Sequence, residues 1–154
     1  MRRARSTALL AAALALGAIG TEARACTVSS AGVAFGAYNP RSTGARNGTG
    51  TISIACATTV TAPVVALSAG ASGSYAARRM TSGGWSFNYN LYTNSARTII
   101  WGDGSGGSVS QTLSGGTISG GQRRFTPTVY GRIPALQNVG AGSYGDTVIM
   151  TVTF

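Results

Sequence analysis

The chain has 154 residues, with 12 Lys plus Arg, three Asp plus Glu, no His and a formal net charge of +9 at pH 7. Every cation is Arg, and beyond residue 25 the only carboxylates are Asp103 and Asp146. Serine hydrolysis needs a general base and a metal site needs several ligands, and this residue set is poor in both. The composition therefore predicts a non-enzymatic protein without metal or cofactor, whose function lies in assembly or surface contact.

Residues 1–25 have the pattern of a secretory signal peptide. A start with three Arg precedes an apolar run at 8–19, and 23–25 form a small-x-small cleavage site before Cys26. The run is shorter than the roughly 20 apolar residues of a membrane-spanning helix. We therefore expect a secreted chain with no transmembrane segment. Twin-arginine export and lipid attachment at Cys26 are alternatives that the surrounding residues support less well.

Residues 26–154 have the length of one domain. Loss of the leader removes four Arg and one Glu, so the formal charge falls from +9 to +6. An Arg-only composition is typical of a GC-rich genome, and the functional alternative is attraction to anionic surfaces. The Arg residues are scattered rather than interleaved with stacking aromatics, so no specific nucleic-acid site is predicted.

Cys26 and Cys56 are the two cysteines of the chain. In an exported protein, two cysteines most simply form one disulfide, and this bond would join the first two strands. Two free thiols are the alternative.

The predicted elements are short strands, because apolar and polar residues alternate with a period of two. In chain order they lie at 51–56, 63–69, 87–92, 98–101, 109–113, a hairpin between 115 and 121, 124–133 and 146–154. Pro127 places its strand at an edge or a bulge. No helical period follows the leader. The pattern predicts an all-β antiparallel sandwich, with a closed barrel as the second choice.

The final strand has two distinct faces. One face carries Val148, Met150, Val152 and Phe154, which we expect to form one buried row. The chain stops inside this strand, so its edge is either paired within the sandwich or available to another chain.

Several motifs, taken in order, resemble a known family. They are Cys26-Thr27-Val28-Ser29, Phe35-Gly36-Ala37-Tyr38, Ile52-Ser53-Ile54-Ala55-Cys56, Arg79-Met80, Tyr89-Asn90-Leu91-Tyr92-Thr93, Trp101-Gly102-Asp103-Gly104, Val129-Tyr130-Gly131-Arg132-Ile133-Pro134, Gly142-Ser143-Tyr144-Gly145-Asp146 and Thr151-Val152-Thr153-Phe154. This ordered set, which spans nearly all of 26–154, is similar to the spore coat protein U domain, the pilin-like module of archaic chaperone–usher pili. Each motif alone is weak, whereas the ordered set is specific.

The resemblance implies an immunoglobulin-like sandwich that lacks one strand. It also implies a structural or adhesive subunit of a surface pilus, which supports attachment and biofilm formation after transit through the periplasm. Its partners would be a periplasmic chaperone, an outer-membrane usher and other pilus subunits joined by strand donation. The strand that contacts the chaperone would be the one carrying Val148, Met150, Val152 and Phe154.

One difference from the family concerns the N-terminus. Polymerising pilins carry a donor extension before the first Cys, whereas Cys26 is the first residue expected after cleavage. This suggests a tip or accessory position in the pilus. The alternative is a self-contained secreted adhesin or coat component. The two hypotheses differ in whether the first and last strands leave an open groove.

Individual polar and aromatic residues favour structural roles. Asp103 lies in a Gly-rich turn and Asp146 at a strand start, which are ordinary structural positions. Five aromatic residues could line a sugar site, although core packing explains each of them. They are Tyr89, Tyr92, Trp101, Tyr130 and Tyr144. Trp85, in a Gly-rich loop, is the best candidate for a surface contact, unless its ring folds back over the sandwich.

Overall fold

The computed structural model describes residues 26–154, so the expected signal peptide lies outside the described residues. The strands are β1 (Cys26–Ala34), β2 (Arg46–Ala57), β3 (Val64–Leu67), β4 (Arg78–Ser82), β5 (Trp85–Tyr92), β6 (Gln111–Thr112), β7 (Thr117–Ser119), β8 (Gln122–Phe125), β9 (Thr128–Ile133) and β10 (Met150–Thr153). A short 3-10 turn, Gly70–Ser72, follows β3.

The strands form two antiparallel sheets. The larger sheet has the order β4-β5-β9-β2-β8-β7, with β1 also paired to β2. The smaller sheet has the order β10-β3-β6. The inner residues of both sheets form one core, so the predicted all-β, immunoglobulin-like sandwich with one disulfide is confirmed.

Strand β2 is twelve residues long and organises the larger sheet. Its first half pairs with β9, and its second half pairs with β8 along the same edge. Pro127 lies between β8 and β9 and has no backbone N–H for the ladder. Its carbonyl still accepts a hydrogen bond from the Ile52 amide at 3.1 Å. The predicted strand 124–133 is therefore two strands separated at the proline.

The core follows the predicted alternation. The buried positions on β2 include Ile52, Ile54 and Cys56, and those on β5 include Phe87, Tyr89 and Leu91. Trp101 is fully buried, and its indole Nε1 donates to the Val65 carbonyl of β3 at 3.0 Å. That hydrogen bond ties the segment after β5 to the smaller sheet.

Arg78 is fully buried at the start of β4, which the sequence did not predict. Its guanidinium donates to the carbonyls of Ser68 and Trp101 and to Asn90 Oδ1, with the shortest bonds at 2.7 Å. Burial lowers the pKa of Arg78. Because a buried cation must be hydrogen-bonded, Arg78 holds three separate segments together.

The predicted disulfide between Cys26 and Cys56 is present. The two residues face each other in the β1–β2 ladder, so the bond fixes the first residue of β1 to the second half of β2. The disulfide therefore holds β1 in the larger sheet, although only one edge of β1 is paired.

The predicted buried row of the last strand is wrong at Phe154. Strand β10 ends at Thr153, and the side chain of Phe154 is 63% exposed. Val148, Met150 and Val152 are half-buried against the core. The physical reason is that β10 pairs only with β3 and lies at the edge of the smaller sheet.

We predict that Cys56→Ser lowers the free energy of unfolding by about 2–5 kcal/mol, because the bond no longer restricts the unfolded chain. Urea denaturation under oxidising conditions measures this change. Thr27→Ala on β1, next to the disulfide partner Cys26, is the control and should cost much less. Equal stability of Cys56→Ser and the parent chain would contradict the prediction.

A candidate strand-accepting groove

A groove runs between the first and last strands, which are not paired with each other. Strand β1 pairs only with β2, and β10 pairs only with β3. Each strand therefore presents one edge without a ladder partner, and the two edges belong to different sheets. One wall of the groove is 28–33 on β1, and the other is 146–150 leading into β10.

The floor of the groove is apolar. It consists of inward-facing side chains from both sheets, namely Ile52, Leu67, Tyr89, Leu91 and Val129. These residues also belong to the hydrophobic core, so the groove is a cut into the core rather than a surface depression. A segment lying in the groove would cover core side chains directly.

The groove consists of two adjoining cavities of about 600 and 630 Å³. Both cavities are lined by Val33, Phe35, Met80 and Asp146, so they form one continuous channel along the sandwich. The backbone edges on either side can supply main-chain hydrogen bonds, and the cavities can accept side chains. This combination is suited to an added β-strand.

Aromatic rings close one end of the channel. Phe87 packs on Tyr144 with ring centroids 4.6 Å apart, and Tyr38 stacks on Phe87 at 5.5 Å. The Tyr38 hydroxyl donates to the Pro134 carbonyl and accepts from the Gln137 amide, each at 2.9 Å. These contacts hold the long loop between β9 and β10 against the sandwich.

Asp146 is the charged residue at the junction of the two cavities. Its carboxylate accepts a hydrogen bond from the Tyr89 hydroxyl at 2.6 Å and from the Ala71 amide at 3.0 Å. Burial, together with the hydrogen bond to Asp146, raises the pKa of Tyr89 above its ordinary value. Gly70 makes room for this arrangement, since a Cβ there would overlap the carboxylate. Asp146 thus anchors the start of the last segment to β5 and to the 3-10 turn.

The predicted partner-strand residues divide between two environments. Val148 and Met150 line the groove. Val152 packs at the margin of the core, and Phe154 is exposed beyond the end of β10. Their role in binding a partner stays a prediction.

Trp85 begins β5 and is 51% exposed. Its ring lies beside Gly140, where a Cβ would come within 2.8 Å of the indole nitrogen. The ring therefore leans on the loop between β9 and β10 while keeping half of its surface free. Its proposed role as a surface contact stays a prediction.

The two carboxylates have different surroundings. Asp103 accepts hydrogen bonds from the amide and hydroxyl of Ser105 within its own turn, whereas Asp146 bonds to Tyr89 and Ala71. Within 26–154 no cluster of three or more His, Cys, Asp or Glu is suited to a metal ion. The part of the chain that the structure describes also has no helix long and apolar enough to cross a membrane.

Sequence reasoning missed the wall of the groove formed by β1. Val28 and Val33 are its apolar members, separated by Ser30, Ala31 and Gly32. Small residues interrupt the alternation, so the pattern does not distinguish a wall of this kind from an ordinary edge strand. In the structure, Val28 is 42% exposed because it faces the open groove.

The fold and the groove define a disulfide-linked antiparallel β-sandwich with an open position for one more strand. The model of the Spore Coat Protein U domain matches residues 11–151. The chain belongs to the Spore Coat Protein U domain family, as its motifs indicated.

Two known proteins are similar to this chain. Protein U of Myxococcus xanthus is 37% identical over 115 residues, which cover 70% of this chain and 60% of that protein. A solved structure of the chaperone–tip adhesion subunit pre-assembly complex, from the archaic chaperone-usher Csu pili of Acinetobacter baumannii, contains a similar fold. It matches with a TM-score of 0.60 and 23% identity over 84% of this chain and 39% of that chain. The chain thus spans less than two thirds of the length of each.

We predict that Tyr89→Phe lowers the free energy of unfolding by about 1.5–3 kcal/mol, because it removes a hydrogen bond to a charged acceptor. The pH dependence should also change. Since the pKa of Tyr89 is raised in the folded state, this bond contributes fully below pH 10 and its contribution is lost as pH rises above it. Urea denaturation at pH 8 and at pH 10.5 measures both effects.

Tyr130→Phe is the control, because this residue lies on the opposite face of the larger sheet. The parent chain should lose more stability than Tyr89→Phe between the two pH values, whereas Tyr130→Phe should follow the parent. A parallel loss in the parent and Tyr89→Phe would contradict the raised pKa.

Proposed function

We propose that this protein is a non-enzymatic subunit of a surface fibre, assembled by a periplasmic chaperone and an outer-membrane usher. The leader at 1–25 directs export to the periplasm, and the assembled protein resides at the cell surface. The observation that carries the proposal is the apolar groove bounded by two unpaired strand edges. Both the chaperone and the preceding or following subunit would act by placing a strand in this groove.

The physical basis is the cost of leaving the groove empty. Unpaired edges expose backbone hydrogen-bonding groups, and the floor exposes core side chains to water. An added strand satisfies the edges through main-chain hydrogen bonds and covers the floor through alternate side chains. The chaperone would supply a strand to this groove temporarily in the periplasm, and a neighbouring subunit would supply one permanently in the fibre.

The relatives support this proposal from two directions. Membership of the Spore Coat Protein U domain family fixes the kind of module. The Csu structure, which contains a similar fold, is a pre-assembly complex of a chaperone and a tip adhesion subunit, and this supports a chaperone as the first partner. Pairing of the first and last strands would favour the alternative, a self-contained adhesin or coat component, and within 26–154 β1 pairs with β2 and β10 with β3.

The decisive experiment compares two neighbouring substitutions in the last segment. Val148 lines the groove, whereas Ile149 is 67% exposed and does not line it. We predict that Val148→Asp abolishes capture by the cognate chaperone, because a charge in the groove cannot be covered by an apolar donor residue. Ile149→Asp should retain capture. Co-purification from the periplasm with a tagged chaperone measures both.

The two outcomes separate the hypotheses. Loss of capture only for Val148→Asp supports strand acceptance in the groove. Equal capture of both variants, or a stable parent monomer at the same yield without any chaperone, would refute it. Circular dichroism of the purified variants shows whether a loss reflects failure to fold.

The exposed end of the last strand provides a further test. We predict that Phe154→Ala changes the free energy of unfolding by less than about 0.5 kcal/mol, as for other surface positions, yet weakens capture by the chaperone. Ile118→Ala on β7 is the matched control, since Ile118 is 61% exposed and Phe154 is 63% exposed. Equal capture of both alanine variants would remove Phe154 from the partner contact.

A further inference from the structure

The outer face of the larger sheet carries an aromatic and cationic patch that the groove does not use. Its central residues are Tyr130 and Arg132 of β9, which point outward because the alternating residues Val129, Gly131 and Ile133 are buried. Tyr92 of β5 lies directly opposite Tyr130, and Asn47 of β2 lies opposite Arg132. With Arg97, these four residues form what we call the Tyr–Arg patch.

Arg97 is brought to the patch by an unusual backbone conformation. Its φ angle is 58°, in the left-handed region that side chains other than Gly, Asn and Asp seldom adopt. In this conformation its guanidinium carbon lies 5.7 Å from the centre of the Tyr130 ring, and Nε donates to the Gly131 carbonyl at 3.0 Å. Nη1 donates to the Ser95 carbonyl at 2.8 Å. The Nη2 group has no hydrogen-bond partner within 26–154.

Arg132 is held with both of its terminal nitrogens free. Its Nε donates to Asn47 Oδ1 at 3.1 Å, and no other residue of the described chain accepts from the guanidinium. The carboxylates of 26–154 lie elsewhere, Asp146 at the groove and Asp103 in its own turn. The patch therefore presents positioned guanidinium donors without an acidic neighbour on the same face.

We propose that the Tyr–Arg patch binds an acidic polysaccharide through the carboxylate of a uronate residue. The planar guanidinium of Arg132 matches a carboxylate in a two-bond fork, and Nη2 of Arg97 adds a donor from the adjacent side. Tyr92 and Tyr130 are cross-strand neighbours on this outer face, so their rings offer apolar surface beside the guanidinium groups for a sugar ring. Asn47 and Thr49 supply amide and hydroxyl groups for the sugar hydroxyls.

Charge distribution favours a uronate over a nucleic acid. Nucleic-acid affinity comes mainly from many phosphate contacts along a continuous basic track. Here the Arg97 guanidinium lies over the Tyr130 ring, and Arg132 is two residues along the same strand, so the patch presents a pair of cations that matches one acidic sugar. Two other Arg residues point outward from this sheet, one on each side of the patch, and they form no continuous basic track. Arg79 of β4 pairs with Asn88 of β5, two residues from the partner of Arg132. Arg124 of β8 pairs with Ala55, eight residues along β2 from Asn47. At roughly 3.3 Å per residue this places Arg124 about 26 Å away.

The test uses the exported chain and a polymer whose charge can be removed. Polygalacturonate is the probe, and the same polymer with its carboxylates methyl-esterified is the neutral control. We expect binding to polygalacturonate in 150 mM salt, measured by biolayer interferometry, and no binding to the esterified polymer. Equal binding of the two polymers, or binding of neither, would overturn the proposal.

Three substitutions locate the site. Arg132→Gln and Arg97→Gln should each weaken binding roughly tenfold or more, as expected for loss of a charge-assisted hydrogen bond. Tyr130→Leu keeps an apolar side chain but loses the flat ring and should also weaken binding. Arg124→Gln removes the same charge from the same sheet and should change affinity less than about twofold. Circular dichroism confirms that each variant is folded.

Other outcomes would each overturn the assignment. An equal loss for Arg124→Gln and Arg132→Gln would show general charge attraction rather than a site. Unchanged binding of Tyr130→Leu would exclude a contact between the Tyr130 ring and the sugar. Tighter binding of single-stranded DNA than of polygalacturonate at matched charge would identify a nucleic acid as the ligand of this face.

Discussion

One constraint dominates the structure: the free edges of β1 and β10, and the core side chains between them, have no strand packed against them within 26–154. Strand β1 ends the hydrogen-bonded ladder of β2 on one side of the groove, and β10 ends the ladder of β3 on the other. The gap between them opens directly onto core residues such as Ile52 and Leu91. A single added strand would satisfy both edges and cover the floor at once, so the gap has the geometry that the proposed strand binding needs.

Other interactions keep the incomplete sandwich in shape around this gap. The Cys26–Cys56 disulfide holds β1 to β2 although the outer edge of β1 is unpaired. Arg78 connects the end of β3, β5 and the Trp101 segment by hydrogen bonds to groups from all three. Asp146 fixes the start of the last segment to Tyr89. Of these constraints, Asp146 lies at the groove itself, whereas the disulfide and Arg78 hold the strands behind it.

The sequence predicted what local alternation controls and missed what distant segments decide. The alternation at 51–56 puts Ile52 and Ile54 on one face, and both are buried, because a half-covered strand shows its buried face as a period of two. Phe154 continues the alternation of the last strand, yet it is exposed because it follows Thr153, the last residue that pairs with β3. The burial of Arg78 depends on carbonyls from separate segments, and the position of Arg97 depends on a left-handed φ angle. Neither feature has a sequence pattern of its own.

The groove and the Tyr–Arg patch lie on opposite faces of the larger sheet, and this separation has a consequence for function. Groove residues such as Val129 point inward from β9, whereas Tyr130 and Arg132 point outward from the same strand. A strand bound in the groove therefore leaves the patch uncovered. In a fibre, each subunit would present one patch at a regular interval along an acidic polymer. Even a weak single contact then gains avidity, because every contact after the first is intramolecular.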